Sequence, residues 1–181
     1  MPTLLSRLPH ALDRGALTCR AIIETSAGSR AKYKFAEDLG AFELNKLLPA
    51  SLSYPMNFGF VPSTLAGDGD PLDVLVLNEV PLEMGCVARV RLIGAMTAEQ
   101  SQKGKTVRND RLIARLEEGT RYSSVERVEQ LGRAFTAELE RFFTTLNELR
   151  GRRFQVLSVE GPEKAAELIE LASAEFRNRG G

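Results

Sequence analysis

The chain has no tryptophan, one histidine and two cysteines among its 181 residues. With a single histidine, His10, histidine-ligated zinc and Ser-His or Cys-His nucleophiles are poorly supported. Cys19 and Cys86 lie far apart and form no C-x-x-C pair, which argues against a zinc site or a disulfide framework. We therefore expect a reduced, cytoplasmic protein.

The chain also lacks an excess of either charge and a long apolar run. Its 24 basic and 24 acidic residues balance, so no nucleic-acid or membrane partner is indicated. No apolar stretch approaches the about 20 residues that span a bilayer. The length supports one core, so we expect a single domain over residues 1–181, with a short amphipathic element at 1–18. An organelle transit peptide is an alternative for that element.

Short apolar runs alternate with turn residues between positions 19 and 122, where we expect the strands of a barrel. From 123 the spacing of Val125, Val128 and Leu131 changes to that of a helix, predicted over 123–150 with Ser123 or Ser124 as its cap. A strand at 152–160 and a helix at 162–178, opened by a proline, follow. The pattern predicts an α+β, mainly β fold, a closed barrel flanked by two C-terminal helices.

The segment Asp68-Gly69-Asp70-Pro71-Leu72-Asp73 places three carboxylates on a turn shaped by glycine and proline, directly before an apolar strand. Clustered carboxylates repel one another, and a set of oxygen ligands favours Mg²⁺, Mn²⁺ or Ca²⁺. A solvated acidic turn is the simpler alternative. An EF-hand is excluded because Leu72 stands where an oxygen ligand is needed and Asp73 where the loop requires glycine.

The surroundings make this turn more specific. The run from Tyr54 to Leu77, YPMNFGFVPSTLAGDGDPLDVLVL, with Lys32-Tyr33 upstream, resembles the signature region of the Family I soluble inorganic pyrophosphatases. The likeness extends from about Ile22 to about Gly161. It implies a five-stranded OB-type closed barrel with helices outside, hydrolysis of pyrophosphate with Mg²⁺ or Mn²⁺, and a homo-oligomer, commonly a hexamer in bacteria.

The same resemblance implies roles for the acidic residues and one tyrosine. Asp68 and Asp73 match metal ligands, with Asp73 bridging two ions, and Asp70 matches both a metal-site carboxylate and the general base beside the attacking water. Glu24 matches an acidic position used for outer metal coordination. Tyr54 matches a site tyrosine that holds its neighbours by hydrogen bonding, although a plain core role is its structural alternative.

Three cationic residues match positions that hold the phosphate anion. Lys32 corresponds to a phosphate-binding lysine, with a solvated strand lysine as the alternative. Lys46 replaces an arginine and loses its bidentate fork. Arg111 replaces a lysine partner.

Several positions depart from the family pattern. Lys34 replaces a glutamate of the K-Y-E triplet, Phe58 replaces a tyrosine, and a polar insertion spans 100–107. The remaining departures remove two metal aspartates and a Tyr-Lys phosphate pair; they are Ala98, Asn109, Leu146 and Asn147. Strand alternation would aim Asp110 at the opposite face unless the register slips.

These departures leave three hypotheses open. The first is an Mg²⁺-dependent pyrophosphatase with weakened activity, since metal-binding carboxylates are kept while phosphate contacts are lost. The second is a non-catalytic homologue that binds a metal and an anion, or a protein partner, for example in a mixed oligomer. The third is a related phosphoanhydride or phosphoester substrate, with Lys34 and the lysines at 103 and 105 holding a larger anion.

Overall fold

The computed structural model describes residues 4–119 and 121–179. This part of the chain is mainly β, with two helices near its C-terminus, in agreement with the predicted class. The strands are β1 (Thr18–Thr25), β2 (Ala31–Ala36), β3 (Ala41–Leu47), β4 (Asn57–Phe60), β5 (Asp73–Leu77), β6 (Val87–Gln102), β7 (Lys105–Arg108), β8 (Arg111–Leu116) and β9 (Arg153–Glu160), and the helices are α1 (Gly132–Glu148) and α2 (Pro162–Asn178).

Five strands pair in a ring. The order is β1, β4, β5, β8 and β6, and β6 pairs back to β1. The long β6 also pairs with β7 and β9, while β2 and β3 form a separate two-stranded sheet. Only one pairing of the described ring, β5 with β8, is parallel, and it sets Asp73 beside Arg111 at the start of both strands. Two residues of opposite charge therefore meet at one end of the sheet.

The ring strands are buried on both faces. In β5, Val74 and Val76 face the side covered by α2, and Leu75 and Leu77 face the side covered by α1. Because successive side chains of a strand point to opposite faces, the alternation produces two apolar clusters, one on each face. Helix α2 contributes mostly small residues to its cluster, Ala165, Ala166, Ile169 and Ala172, whereas α1 contributes Leu139, Phe142, Phe143 and Leu146.

The predicted helix at 123–150 begins later than its apolar spacing indicated. Residues Val128–Leu131 form a separate 3-10 turn. Gly132, the first residue of α1, has a φ of +80°, so a right-handed helix cannot continue through it from the turn. The Gln130 side-chain oxygen accepts hydrogen bonds from the backbone N–H groups of Glu126 and Arg127. Val128 therefore reaches the core from a capped turn, and the prediction is wrong for the first part of that range.

The predicted amphipathic element at 1–18 contains one 3-10 turn, Leu5–Arg7. Leu4, Leu5 and Leu8 pack against a small cluster centred on Ile22, which explains their spacing without a helix. Residues 1–3 of that element, position 120 of the predicted strand region, and 180–181 lie outside the described residues. Among the residues described, no helix is long and apolar enough to cross a membrane.

We expect Gly59→Ala to destabilise the ring. Gly59 lies where β4 crosses β1, and a methyl group there would overlap the backbone carbonyl of Ile22, which cannot move without separating the strands. Overpacking of this kind costs about 1 to 3 kcal/mol of unfolding free energy. Denaturant unfolding measures it, with Gly119→Ala as the control because a methyl there meets only ordinary contacts. Equal stability of the two variants would contradict the expectation.

Candidate active site

A cleft of about 550 Å³ opens at the end of the ring where β5 and β8 begin. Its walls come from the β2–β3 hairpin, the acidic turn before β5, the β6–β7 hairpin and the end of α1. Among the described residues, three carboxylates line it, Asp68, Asp70 and Asp73, together with six cationic side chains, Lys32, Lys34, Lys105, Arg111, Arg150 and Arg152. The cleft is therefore positively charged when no metal is bound.

The acidic turn is built by local hydrogen bonds. Gly69 has a φ of +90°, Ala66 N–H donates to the Asp70 carbonyl at 2.8 Å, and Asp70 N–H donates to Asp68 Oδ1 at 3.2 Å. Asp68 and Asp70 are exposed to the cleft and Asp73 is partly buried. The turn therefore brings the three predicted carboxylates to one cavity, as the residue spacing indicated.

The donor set of the turn fits Mg²⁺ by its chemistry, since it consists of carboxylate oxygens only. Burial raises the pKa of Asp73 to about 6, with the Asp68 and Asp70 charges adding to the rise. A bound cation would relieve that repulsion. Within the described ranges, however, no three Asp, Glu, His or Cys side chains are gathered closely enough to hold an ion as they stand. Metal binding by Asp68, Asp70 and Asp73 stays a prediction.

Arg111 is the most firmly held cation of the cleft. It is 5 % exposed, and its guanidinium carbon lies 4.1 Å from the ring centroid of Phe143 and 4.6 Å from that of Phe154. Nη1 donates to the Asn109 carbonyl at 2.9 Å, and Nη2 lies 3.7 Å from Asp73 Oδ2. The buried Nε has no hydrogen-bond partner in the described residues. Arg111, predicted to bind substrate, is therefore held in one position and keeps one donor atom, Nε, without a partner among the described residues.

Glu24 lies behind the acidic turn and does not line this cleft. It borders a second cavity, of about 660 Å³, which it shares with Lys34 and Asp70. Its Oε1 accepts a hydrogen bond from Phe35 N–H at 2.7 Å, and burial raises its pKa to about 7. The outer metal-coordinating role of Glu24 stays a prediction.

Tyr54 and Lys32 line the same cleft as the acidic turn. Tyr54 is 1 % exposed and packs against Phe58 and Phe142, while its buried hydroxyl has no hydrogen-bond partner among the described residues. The Lys32 ammonium lies 5.3 Å from the Phe58 ring centroid, and burial lowers the pKa of this lysine. The substitution at Phe58 therefore leaves a cation–π contact where a hydroxyl was expected.

Lys46 does not line the cleft, although it was predicted to bind substrate. The register of β2 and β3 shifts between Lys32 and Tyr33, and this bulge leaves Asn45 lining the cavity. The charges of Arg150 and Arg152 contribute to the lowered pKa of Lys46, after desolvation, so the lysine lies near the rim. Sequence spacing alone could not locate the bulge.

The four positions where the family pattern has metal aspartates or a Tyr-Lys pair carry no charge, and three of them line the cleft: Asn109, Leu146 and Asn147. Ala98 is fully buried, Asn109 donates to Gln100 Oε1 at 3.1 Å, and Asn147 donates to the Phe143 carbonyl. Asp110 does not line the cleft; its Oδ1 accepts hydrogen bonds from Ala98 N–H at 2.9 Å and from Arg108. Asp110 therefore stabilises the backbone of β6 at Ala98, where the register of β6 with β9 shifts, and does not replace the missing carboxylates.

Two arginines of the cleft were not predicted from the sequence. Arg150 and Arg152 follow α1, where Gly151 has a φ of +65° and the Asn147 carbonyl accepts hydrogen bonds from both arginine N–H groups. Arg150 Nε and Nη2 are buried without a hydrogen-bond partner in the described residues, and Arg152 Nε donates to Gln102 at 3.0 Å. A basic pair directly after a helix was the available signal, since cations are favourable at helix C-termini.

Known proteins share both the fold and the sequence of this molecule. The mainly β ring with two outer helices is shared with the solved inorganic pyrophosphatase from Thermus thermophilus, with a TM-score of 0.86 and 32 % identity over 97 % of this chain and 99 % of that one. Inorganic pyrophosphatase from Geobacillus stearothermophilus is 35 % identical over 88 % of this chain and 94 % of its own length. The inorganic pyrophosphatase family model matches residues 21–177. The chain belongs to the inorganic pyrophosphatase family.

We expect the stability of the metal-free protein to fall as pH rises because of Glu24. A carboxyl whose pKa is about 7 when folded and 4.5 as its ordinary value keeps a proton that the unfolded chain has lost. Stability from that proton is present at low pH and is lost between about pH 4.5 and 7, by at most about 3 kcal/mol. Glu24→Gln should therefore be increasingly more stable than wild type as pH rises from 5 to 8.

Denaturant unfolding with a chelator present measures this difference at each pH. Glu140→Gln, at an exposed position on α1, is the control and should follow wild type. Parallel stability curves for wild type and Glu24→Gln would show that the buried carboxyl does not carry the dependence.

Proposed function

We propose that this protein hydrolyses pyrophosphate to two phosphates. The observation that carries the proposal is a set of buried donors without partners around the acidic turn: the Tyr54 hydroxyl, Arg111 Nε, and Arg150 Nε and Nη2. A buried donor left unsatisfied costs about 1 to 3 kcal/mol, so a ligand that accepts hydrogen bonds from this set is favoured by the same order of free energy. A small polyanion of phosphate does so and also neutralises the surplus positive charge of the cleft.

The residues divide the chemistry between them. Lys32, Arg111 and Arg150 hold the phosphate oxygens and stabilise the charge that develops as the bridging P–O bond breaks. Asp70 accepts a proton from the attacking water, and the second phosphate leaves with the bridging oxygen. Tyr54 orients a neighbouring group. Asp68, Asp70 and Asp73 would hold Mg²⁺ or Mn²⁺, which would supply charge neutralisation and lower the pKa of water.

Other features of the proposal follow from membership of the family. We propose that the ring of five strands is an OB-type barrel, that the protein forms a homo-oligomer, a hexamer if it assembles as bacterial members do, and that it acts in the cytoplasm on a small phosphate anion. A nucleic-acid or membrane partner is not part of the proposal. Balanced net charge supports the last point.

We propose that turnover is slower than in a site with its full set of carboxylates. Ala98 and Asn109 supply no charge to the metal side, and Leu146 offers no contact to phosphate. The Lys34 ammonium donates a hydrogen bond to Asp70 Oδ1 at 2.6 Å. Asp70, the proposed base, must lose this hydrogen bond before it accepts a proton from water. Arg150 compensates in part by placing a new donor on the phosphate side.

A non-catalytic protein that binds a metal and an anion, or a protein partner, is the second candidate. The Lys34–Asp70 ion pair favours it, because it occupies the proposed base in the ligand-free protein. Both candidates predict that the protein binds a metal and a phosphate anion. Only the hydrolase is expected to release phosphate from pyrophosphate.

Purified protein should release phosphate from pyrophosphate in the presence of Mg²⁺ or Mn²⁺. Removing the general base with Asp70→Asn should lower the rate by about 100-fold or more. A colorimetric phosphate assay over a range of metal concentrations measures both rates. The control is Glu140→Gln, outside the cleft, which should match wild type.

Absence of phosphate release from folded wild-type protein with every metal tested would contradict the hydrolase and support the non-catalytic candidate. Assaying nucleotides and polyphosphates beside pyrophosphate tests the third hypothesis, that of a larger phosphate anion. An unchanged rate in Asp70→Asn would remove this residue from the mechanism.

Arg150→Gln should weaken substrate binding more than it slows the chemical step. Hydrogen bonds to a charged group are worth about 1.5 to 3 kcal/mol, so we expect KM to rise by about 10-fold or more while kcat changes less. Steady-state kinetics measures the two effects separately. Arg133→Gln, an exposed arginine at the other end of α1, is the matched control. Equal KM in both variants would exclude Arg150 from the binding site.

A further inference from the structure

Lys34 lies at the point where the two cavities meet. Its ammonium donates to Asp70 Oδ1 at 2.6 Å, and both side chains line the main cleft and the second cavity. Glu24 borders the second cavity, and Asp68 lines the main cleft beside Asp70. The ammonium of Lys34 is therefore placed among three carboxylates.

This contact is not explained by its contribution to folding. The two side chains are 45 % and 51 % exposed, and ion pairs at such exposure contribute about 0 to 1 kcal/mol. The hairpin that carries Lys34 is a separate two-stranded sheet, already tied to the ring by the backbone contact of Phe35 with Glu24. The main effect of the ion pair is therefore on the charge of the cleft.

The position of the ammonium matters for any cation that approaches the turn. A divalent ion that binds Asp70 competes directly with Lys34 for Oδ1, and it is repelled by the lysine charge if it binds beside it. Asp73 is not affected in the same way, because its nearest described cation is Arg111 at 3.7 Å. The two ends of the acidic turn thus present different sites to a metal.

We propose that the Lys34 ammonium occupies the place of one divalent cation at the Asp68–Asp70 end of the turn, so that this protein binds fewer Mg²⁺ ions than its carboxylates would otherwise hold. The inference rests on the proposed function, since it assumes that Mg²⁺ binds to the turn. A lysine on a strand holds its charge permanently in the cleft. The turn is thereby neutralised in part at Mg²⁺ concentrations too low to fill a metal site.

Isothermal titration calorimetry with MgCl₂ alone, without substrate, tests the proposal. Lys34→Gln should bind one additional Mg²⁺, or bind its weakest ion at least about tenfold more tightly than wild type. Lys34→Glu should show a larger gain, and Lys34→Arg, which keeps the charge, should behave as wild type. Lys105→Gln is the control, because it removes a lysine from the same cleft at a position without a described ion pair to the turn.

Each pattern of results has one meaning. A gain in Lys34→Gln and Lys34→Glu, absent in Lys34→Arg and Lys105→Gln, supports the proposal. Equal stoichiometry and affinity in wild type and all four variants overturns it and leaves the proposed function standing. Equal gains in Lys34→Gln and Lys105→Gln also overturn it, since they would reflect net charge alone. Failure of wild type and every variant to take up Mg²⁺ overturns the metal site of the proposed function itself. Circular dichroism establishes that each variant is folded.

Discussion

The parallel pairing of β5 with β8 is the constraint on which the cleft depends. Because both strands run in one direction, their first residues lie side by side, and Asp73 meets Arg111 there. An isolated carboxylate or guanidinium at this depth would be costly, so each makes the burial of the other tolerable. Phe143 and Phe154 then stack around the guanidinium, which joins α1 and β9 to the same point. The ring, the outer helix and the site are thus held by one cluster of contacts.

The electrostatics of the cleft differ from those of a purely acidic metal site. Cations outnumber carboxylates among its described lining residues, and several of their donor atoms have no partner. Such a surface attracts a polyanion before any ion is bound, and the acidic turn then provides local negative charge within it. The surplus of positive charge comes from residues on β2, β7 and β8 and from the two arginines that follow α1.

Local pattern was enough to predict most of the strands, the C-terminal helix and the acidic turn, but not β7 and the end of β6, which occupy the stretch 100–107 interpreted as a polar insertion. It did not predict the start of α1, since Val125 and Val128 have helical spacing but reach the core from a turn that ends at Gly132. The site was predicted where a motif is contiguous, as at Asp68 to Asp73. It was missed where tertiary geometry decides: the bulge that brings Asn45 to the cleft, and the helix end that presents Arg150. Neither follows from residue spacing.

The β6–β7 hairpin has a consequence for how this molecule can diversify. It extends β6 beyond the ring, and its residues Gln100, Gln102, Lys105 and Val107 form one wall of the cleft without entering either apolar cluster. Insertions at its tip, Lys103 and Gly104, would reshape the entrance at little thermodynamic cost, because the tip lies beyond the residues of β6 that pair with β8 and β9. The entrance of the cleft can therefore change in length and charge at this tip while the strand pairings of the ring stay as they are.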